Sequence, residues 1–393
     1  MLDKAQALAE ELTRLRRDIH QHPELGFQEF RTAALVADTL AEIGQIEVQT
    51  GVGRTGVVGQ IGTGDGPTIA IRADMDALPI DDHKDVPYRS QNDGVMHACG
   101  HDAHTAILLG VAHLLKQSFA SEKWHGNVRL LFQPSEEVFD DNGSSGATAM
   151  IEDRALAGVD AVIALHVASE RPTGQFHFQD NYALAAVDAF EGWLRASGGH
   201  GAYPHQTKDP LFILPSVMTT LYGIPSRRIN PLRSCVVSLG QVHGGTTSNV
   251  IPGEVYLHGT IRSFDPPVRE QLWQEVENAF KLSEVMGGSY EFHLQKGYPA
   301  LHNDPQVNNW MRQAARDLLG DEVIHEAEFG MGAEDFAYMA EAAPGAMFML
   351  GAAVPDGIRR NHHTDIFDID ERALPLGAAV LAETARRFVT KKG

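Results

Sequence analysis

Cysteine is nearly missing from this 393-residue chain, which has only Cys99 and Cys235. Two thiols cannot staple a framework, so the fold must rest on hydrophobic burial. A lone cysteine among polar neighbours then becomes a candidate ligand or nucleophile. Positive charge is also scarce: 32 Lys and Arg stand against 52 Asp and Glu, a formal net charge of −20. Such a chain repels polyanions, and no basic stripe offsets this, so nucleic acid is excluded as a partner. No apolar run is long enough to cross a bilayer, which excludes a membrane-spanning role. Residues 1–17 are charged and lack the apolar centre of a secretory signal, so a cytoplasmic protein is expected. Internal repeats and low-complexity segments are absent too. What remains is an ordinary globular balance, 43% hydrophobic and 21% charged, with length for two or three domains.

Histidine is plentiful, with 19 copies, many in short motifs. The densest stretch is Met96-His97-Ala98-Cys99-Gly100-His101-Asp102-Ala103-His104-Thr105. Thiolate and neutral imidazole suit zinc and neighbouring first-row metals. If the segment is extended, Cys99 and His101 point to one face. Taken alone, the stretch reads equally well as a buried cysteine beside a structural histidine.

The rest of the chain decides between these readings. Residues 2–17 and 32–43 have helical periodicity, with His20-Gln21-His22-Pro23-Glu24-Leu25-Gly26 breaking the pattern between them. Apolar runs at 68–73, 127–132, 160–165 and 346–350 read as buried strands, and 105–117 as a helix. Each strand is followed by candidate ligands: Asp74 and Asp76, Glu136 and Glu137, His166, and the loop holding His362 and His363. The carboxyl ends of strands are where open α/β sheets bind ligands. This coincidence favours one shared metal site.

Residues 183–297 read differently. Strands at 187–196, 234–242, 254–263 and 290–295 alternate with helices at 210–222 and 267–286, the β-α-β-β-α-β order of a split, ferredoxin-like unit. The αβ series resumes afterwards with a helix at 307–319. The expected architecture is therefore α/β: a catalytic α/β/α domain with a central sheet (residues 1–182 and 298–393), interrupted by an inserted α+β domain (residues 183–297).

Two divalent ions held close together clamp a substrate and activate a water between them. Cys99, His101, Glu137, His166 and one of His362 or His363 can hold such a pair if one ligand bridges, leaving positions for water and substrate. Where two glutamates are adjacent, one can bind metal while the other stays free as general base and later general acid. Asp76, and Asp102 in the same way, can accept the second N–H of a metal-bound histidine and fix its tautomer. His104, three residues after His101, is a further possible ligand ranked below the rest.

These motifs are recognisable. Together with Arg72-Ala73-Asp74-Met75-Asp76-Ala77-Leu78-Pro79, Gln133-Pro134-Ser135-Glu136-Glu137, and His363 ahead of Phe367-Asp368-Ile369-Asp370, the chain resembles the amidohydrolase branch of the dinuclear aminoacylase/carboxypeptidase family. That branch includes hippurate hydrolases, N-acyl-amino-acid amidohydrolases and auxin-conjugate hydrolases. The resemblance runs from His20 to Asp370. It implies two divalent ions per subunit, zinc or manganese first, cobalt or nickel next, held by Cys99, His101, Glu137, His166 and His363. It makes Glu136 the general base and acid, and the inserted domain a lid that forms a homodimer or dimer-based oligomer. In Gly199-His200-Gly201-Ala202-Tyr203-Pro204 it implies that His200 polarises the scissile carbonyl, commonly across the dimer. It gives Asn249 and Arg262 the substrate's carboxylate. The chain departs from the family where Pro-Ala-Glu-Glu or Pro-Gly-Glu-Glu becomes Pro-Ser-Glu-Glu, followed by Val138-Phe139-Asp140-Asp141 in place of a glycine-rich tail.

The expected activity is hydrolysis of the amide of an N-acyl amino acid or related conjugate, with short peptides as the alternative substrates of a metallocarboxypeptidase or dipeptidase. A binding protein with a dead metal site would need a broken ligand set, and every expected residue is present.

Overall fold

The computed structural model describes residues 1–390. The chain folds as two compact units. The first comprises Met1–Asn181, His302–Phe329 and the residues from Asp335 on, and the second Tyr182–Leu301 with Gly330–Glu334.

The first unit opens with strands β1 (Glu47–Val52), β2 (Gly56–Gly62), β3 (Thr68–Asp74), β4 (Asn127–Gln133), β5 (Ala161–Pro172) and β6 (Phe176–Phe178). The second unit supplies β7 (Ala186–Arg195), β8 (Cys235–Gly244), β9 (Glu254–Ser263) and β10 (Ser289–Lys296). The chain then returns to the first unit with β11 (Ile324–Glu326) and β12 (Gly345–Ala353).

The first unit is an α/β sandwich on one mixed sheet, in the order β1-β2-β4-β3-β5-β12-β6-β11. Its centre, β4-β3-β5-β12, is parallel. Parallel strands are covered on both faces, and β3 is buried at every residue. Ile69, Ile71 and Ala73 pack into the main core with helices Ala9–Gln21, His101–Ser121 and Ala373–Thr390. Arg72 faces the other way, 6.0 Å from the ring of Phe336 on helix Phe336–Ala342. The helix His101–Ser121 is buried over most of its length, and so reads as apolar all round rather than striped.

The second unit has the ferredoxin-like connectivity. Its sheet runs β8-β9-β7-β10, antiparallel throughout. Along β7, burial alternates residue by residue, with Phe190 and Leu194 buried against helices Pro210–Arg227 and Pro266–Val285. That alternation is the signature of a sheet covered on one face.

Three local expectations need correction. Residues 2–17 are not one helix but two, Leu2–Gln6 and Ala9–Gln21. The helix expected from residue 105 begins at His101, because Gly100 with φ +92° turns the chain directly into it. Cys99 and His101 therefore flank a left-handed glycine and are not neighbours on an extended face. A Cβ on Gly100 would lie 2.4 Å from Val167 Cγ2, so the turn admits only glycine. The strand expected to end at residue 165 continues to Pro172, and His166 lies within it.

At the far edge, His177 on β6 pairs with His325 on β11, their rings stacked with centroids 5.0 Å apart. Both ring nitrogens of His177 are buried without hydrogen-bond partners. Burial, reinforced by Arg171 and His325, pushes its pKa down to about 4. A histidine held below its ordinary value stabilises the fold fully above pH ~6.5, and that contribution disappears as pH falls through about 4. His177→Phe should therefore flatten the acid side of the stability curve. Between pH 7 and 4, wild type should lose on the order of 2–3 kcal/mol more than the variant, read from urea unfolding at the two pH values. Parallel losses in both proteins would refute the assignment.

Candidate metal centre

The carboxyl ends of the central parallel strands and the loop after β12 bring Cys99, His101, Glu136, Glu137, His166, His362 and His363 into overlapping clusters. Donor atoms lie within 4.8 Å of one another in each of three sets: Cys99, Glu137 and His363; His101, Glu136 and Glu137; Cys99, His166 and His362. Glu137 belongs to the first two sets and Cys99 to the first and third. His363 reaches its place from a left-handed backbone, φ +60°, with its N–H on the Ala98 carbonyl. Its Nε2 is 3.1 Å from Glu137 Oε1.

Three of the four imidazoles are oriented by a hydrogen bond from one nitrogen. His101 Nδ1 donates to Asp76, 2.9 Å from the carbonyl oxygen and 3.1 Å from Oδ1. Asp76 Oδ2 accepts the Glu137 N–H at 3.0 Å, so one carboxylate aligns both residues. His166 Nδ1 donates to the Val167 carbonyl at 2.8 Å, leaving Nε2 3.4 Å from Cys99 Sγ. His362 Nε2 donates to the same carbonyl at 3.0 Å. Glu136 Oε1 accepts the Asp335 N–H at 3.3 Å.

Two sequence-level alternatives fail on geometry. His104 Nε2 accepts the Val167 N–H at 2.9 Å, and its Nδ1 donates to Asp74 Oδ1 at 2.6 Å. Both nitrogens are occupied, so His104 is a spacer and not a ligand. Asp102 does not support a metal-bound histidine. Its Oδ2 accepts Arg16 Nε and His20 Nδ1, each at 2.7 Å. Asp74 is paired with Arg72, whose guanidinium also reaches Gln133 and Asp335.

The donor set fits a divalent ion. His101 Nε2 is buried with no hydrogen-bond partner, which is costly unless something else is bound there. Burial would lower the His101 pKa, but Asp74, Asp76 and Glu137 outweigh it and raise it to about 10. Burial, then Glu137, Glu136 and Asp74, push the Cys99 thiol well up. The surplus of negative charge holds protons on the two groups that would ligate, and a cation would displace them. Ion uptake by such a site releases protons and weakens as pH falls.

His200 and Asn249 lie side by side in the second unit. Residues 199–200 pair with 250–251, and the Gly201 N–H donates to the Asn249 carbonyl at 2.8 Å. His200 Nδ1 accepts the Ala202 N–H at 3.1 Å. Arg262 is on β9, opposite Val187, half-buried.

Periodicity and motif reading missed the buried ion network behind the site. Arg16 spans Asp102, Asp368 (2.9 Å) and Glu371 (3.2 Å). His20 lies between Asp102 and Lys84, whose Nζ also donates to the Phe367 carbonyl at 2.7 Å. One signal was available: Arg16 falls on the buried stripe of its helix, with Leu12, Leu15 and Ile19. An arginine on such a stripe calls for buried carboxylates.

A parallel-sheet α/β unit with this donor cluster is a metallohydrolase arrangement. The model of Peptidase family M20/M25/M40 matches residues 70–387, and the chain belongs to that family. It is a hydrolase of the metal-dependent, amide-cleaving kind. It is 40% identical to an N-acetyl-L-cysteine deacetylase of Bacillus subtilis over 97% of this chain and 89% of that one. It is 39% identical to thermostable carboxypeptidase 1 of Saccharolobus solfataricus, over 97% and 96%. The crystal structure of the Bacillus subtilis YXEP protein, described as a dinuclear metal binding peptidase, superposes with a TM-score of 0.84 at 34% identity, covering 98% and 99%.

Proposed function

We propose that this chain hydrolyses the amide bond of N-acyl amino acids or related small conjugates, using two divalent ions, zinc or manganese first, cobalt or nickel next. The observation that carries the reading is the three donor clusters joined through Glu137 and Cys99, with the orphaned Nε2 of His101 in one of them. Cys99, His101, Glu137, His166 and His363 would hold the ions. Such ions supply Lewis acidity and make water acidic enough to attack at neutral pH.

The chain's own residues do the rest. Glu136, steadied by the Asp335 amide, takes the proton of the attacking water and returns it to the leaving nitrogen. Asp76 keeps His101 in the ligating tautomer. His200 donates to the carbonyl oxygen as charge develops there, and Asn249 and Arg262 hold the substrate's carboxylate. The adjacency of residues 199–201 and 249–251 supports His200 and Asn249 acting together. In this reading the inserted unit is a lid and dimerisation module of a cytoplasmic homodimer, which light scattering of the purified protein tests.

Chelated protein, reconstituted with each of the four metals, should cleave N-acyl amino acids faster than dipeptides or C-terminally extended peptides. The reverse order would favour the carboxypeptidase reading. Cys99→Ala should lose bound metal and activity together, whereas Cys235→Ala, on a strand of the second unit, should lose neither. A fully metallated, active Cys99→Ala protein would remove the proposed centre.

A further inference from the structure

Glu29 is fully buried, yet it belongs to none of the clusters above. It stands at the N-terminal end of helix Phe30–Ile43. Its Oε1 accepts two backbone N–H groups, from Phe27 at 3.0 Å and from Ser135 at 2.8 Å. Its Oε2 accepts the Thr55 hydroxyl in a short hydrogen bond.

The residues around it are unusual. Among the described residues, seven other than glycine have a left-handed φ; two of them, Phe27 (+59°) and Ser135 (+42°), give their amides to this carboxyl group, and a third, Arg54 (+78°), immediately precedes Thr55. The Arg54 guanidinium lies over the Phe27 ring, 4.1 Å from its centroid. Left-handed non-glycine residues cost free energy and persist only where their surroundings fix them. Ser135 is the residue immediately before Glu136 and Glu137.

The turn is held from its other sides as well. The Gly146 N–H donates to the Ser135 carbonyl at 2.8 Å, and Ser135 Oγ donates to the Val138 carbonyl at 3.0 Å. A Cβ on Gly26 would lie 2.4 Å from Ser135 Oγ, and one on Gly146 would lie 1.5 Å from the Pro134 carbonyl oxygen. Ser135 is therefore fixed at its amide, carbonyl and side chain, and among the described residues the side-chain group holding its amide is Glu29.

We propose that Glu29 is a positioning residue whose carboxyl group clamps the strained Ser135 turn and so aims Glu136 and Glu137. The proposal rests on the roles given to those two glutamates above. The clamp depends on acceptor geometry rather than on charge. Burial, with Asp76 adding to it, raises the Glu29 pKa to about 7. A protonated carboxyl makes the same three bonds, its carbonyl oxygen accepting both amides and its hydroxyl donating to Thr55. Glutamine can do likewise, with its carbonyl on the amides and its NH₂ on Thr55.

The test compares Glu29→Met, Glu29→Gln and Thr55→Val in the metal-loaded enzyme. Glu29→Met keeps the length and removes both acceptors. It should lower kcat roughly tenfold to a hundredfold, as misplacement of a reacting group does, with KM changed less than about threefold. Its Ser135 amide should exchange hydrogen faster in solution. Glu29→Gln should restore kcat to within about threefold of wild type and restore the slow exchange. Thr55→Val, a milder change, should fall between these two. A folded, metal-replete Glu29→Met enzyme with unchanged kcat and unchanged Ser135 exchange overturns the clamp. So does Glu29→Gln as damaged as Glu29→Met. Should Glu29→Met not fold, Thr55→Val with wild-type exchange at Ser135 overturns it as well. An active Glu136→Gln enzyme would break the reading of Glu136 alone, because exchange at Ser135 reports on the clamp independently of catalysis.

Discussion

Glu136→Gln should reduce kcat by ~10²–10⁴-fold, the range over which positioned general bases act, while the protein keeps its full complement of metal. Glutamine preserves size and the acceptor that meets the Asp335 N–H, so the turn should stay in place. What it removes is the ability to take a proton. The measurement has two arms, steady-state kinetics and metal analysis of the same preparation, because Glu136 shares a donor cluster with His101 and Glu137. A variant that lost kcat and an ion together would make Glu136 a ligand and leave the base unassigned. The contrasting result, loss of kcat at full metal content, separates the two adjacent glutamates by role.

The second large effect is on stability. Arg16→Met should cost about 3–5 kcal/mol, the penalty for stranding buried charges. Arg16 is fully buried, as is the Asp102 side chain it pairs with, and the Asp368 side chain is 8% exposed. Burial alone would raise the Asp102 pKa, but Arg16 and His20 outweigh it and hold it well below the ordinary range. A carboxylate held down in this way stabilises the fold above pH ~4 and stops doing so as pH falls through its lowered pKa. Removing Arg16 strands Asp102 at every pH where it is ionised. Adding Asp102→Asn to Arg16→Met should recover part of the loss, since the charge left unpaired is then gone. Urea unfolding of the single and double variants measures this. A double variant no more stable than Arg16→Met would show that packing of the guanidinium, not charge pairing, dominates.

Much of this architecture was legible because local pattern and burial agree. The central strands are continuous apolar runs, and β9 occupies the residues read as a strand, 254–263. Most of the candidate donors could be read because they follow strand ends, as Glu136 and Glu137 do after β4 and the histidine loop does after β12. What failed was backbone geometry at single residues. Gly100 turns the chain through a positive φ that spacing rules cannot detect, and this moved the helix start to His101. His166 stayed within its strand because β12 pairs with β5 along its whole length, a long-range contact invisible to a local window. By proximity in sequence, Asp102 looked like support for a ligand and His104 like a further ligand. Helical geometry sends them instead to Arg16 and Asp74, whose positions only the tertiary fold fixes. Short edge strands such as β6 and β11, three residues each, carry too little pattern to be seen.

The strand order has a consequence for how the protein is made. β12 lies between β5 and β6 in the sheet, although of the strands of this sheet it is the last in chain order. Until residues 345–353 emerge, β6 and its partner β11 cannot join the rest of the sheet, and β5 presents a bare, apolar edge. At ordinary elongation rates the nascent chain waits roughly ten to thirty seconds between finishing β5 and receiving its neighbour. During that interval the residues of the second unit are made, while the half-built sheet remains open to pairing with another copy of itself. The strand that leads into the loop of His362 and His363 is thus also the one that ends the sheet's exposure to aggregation.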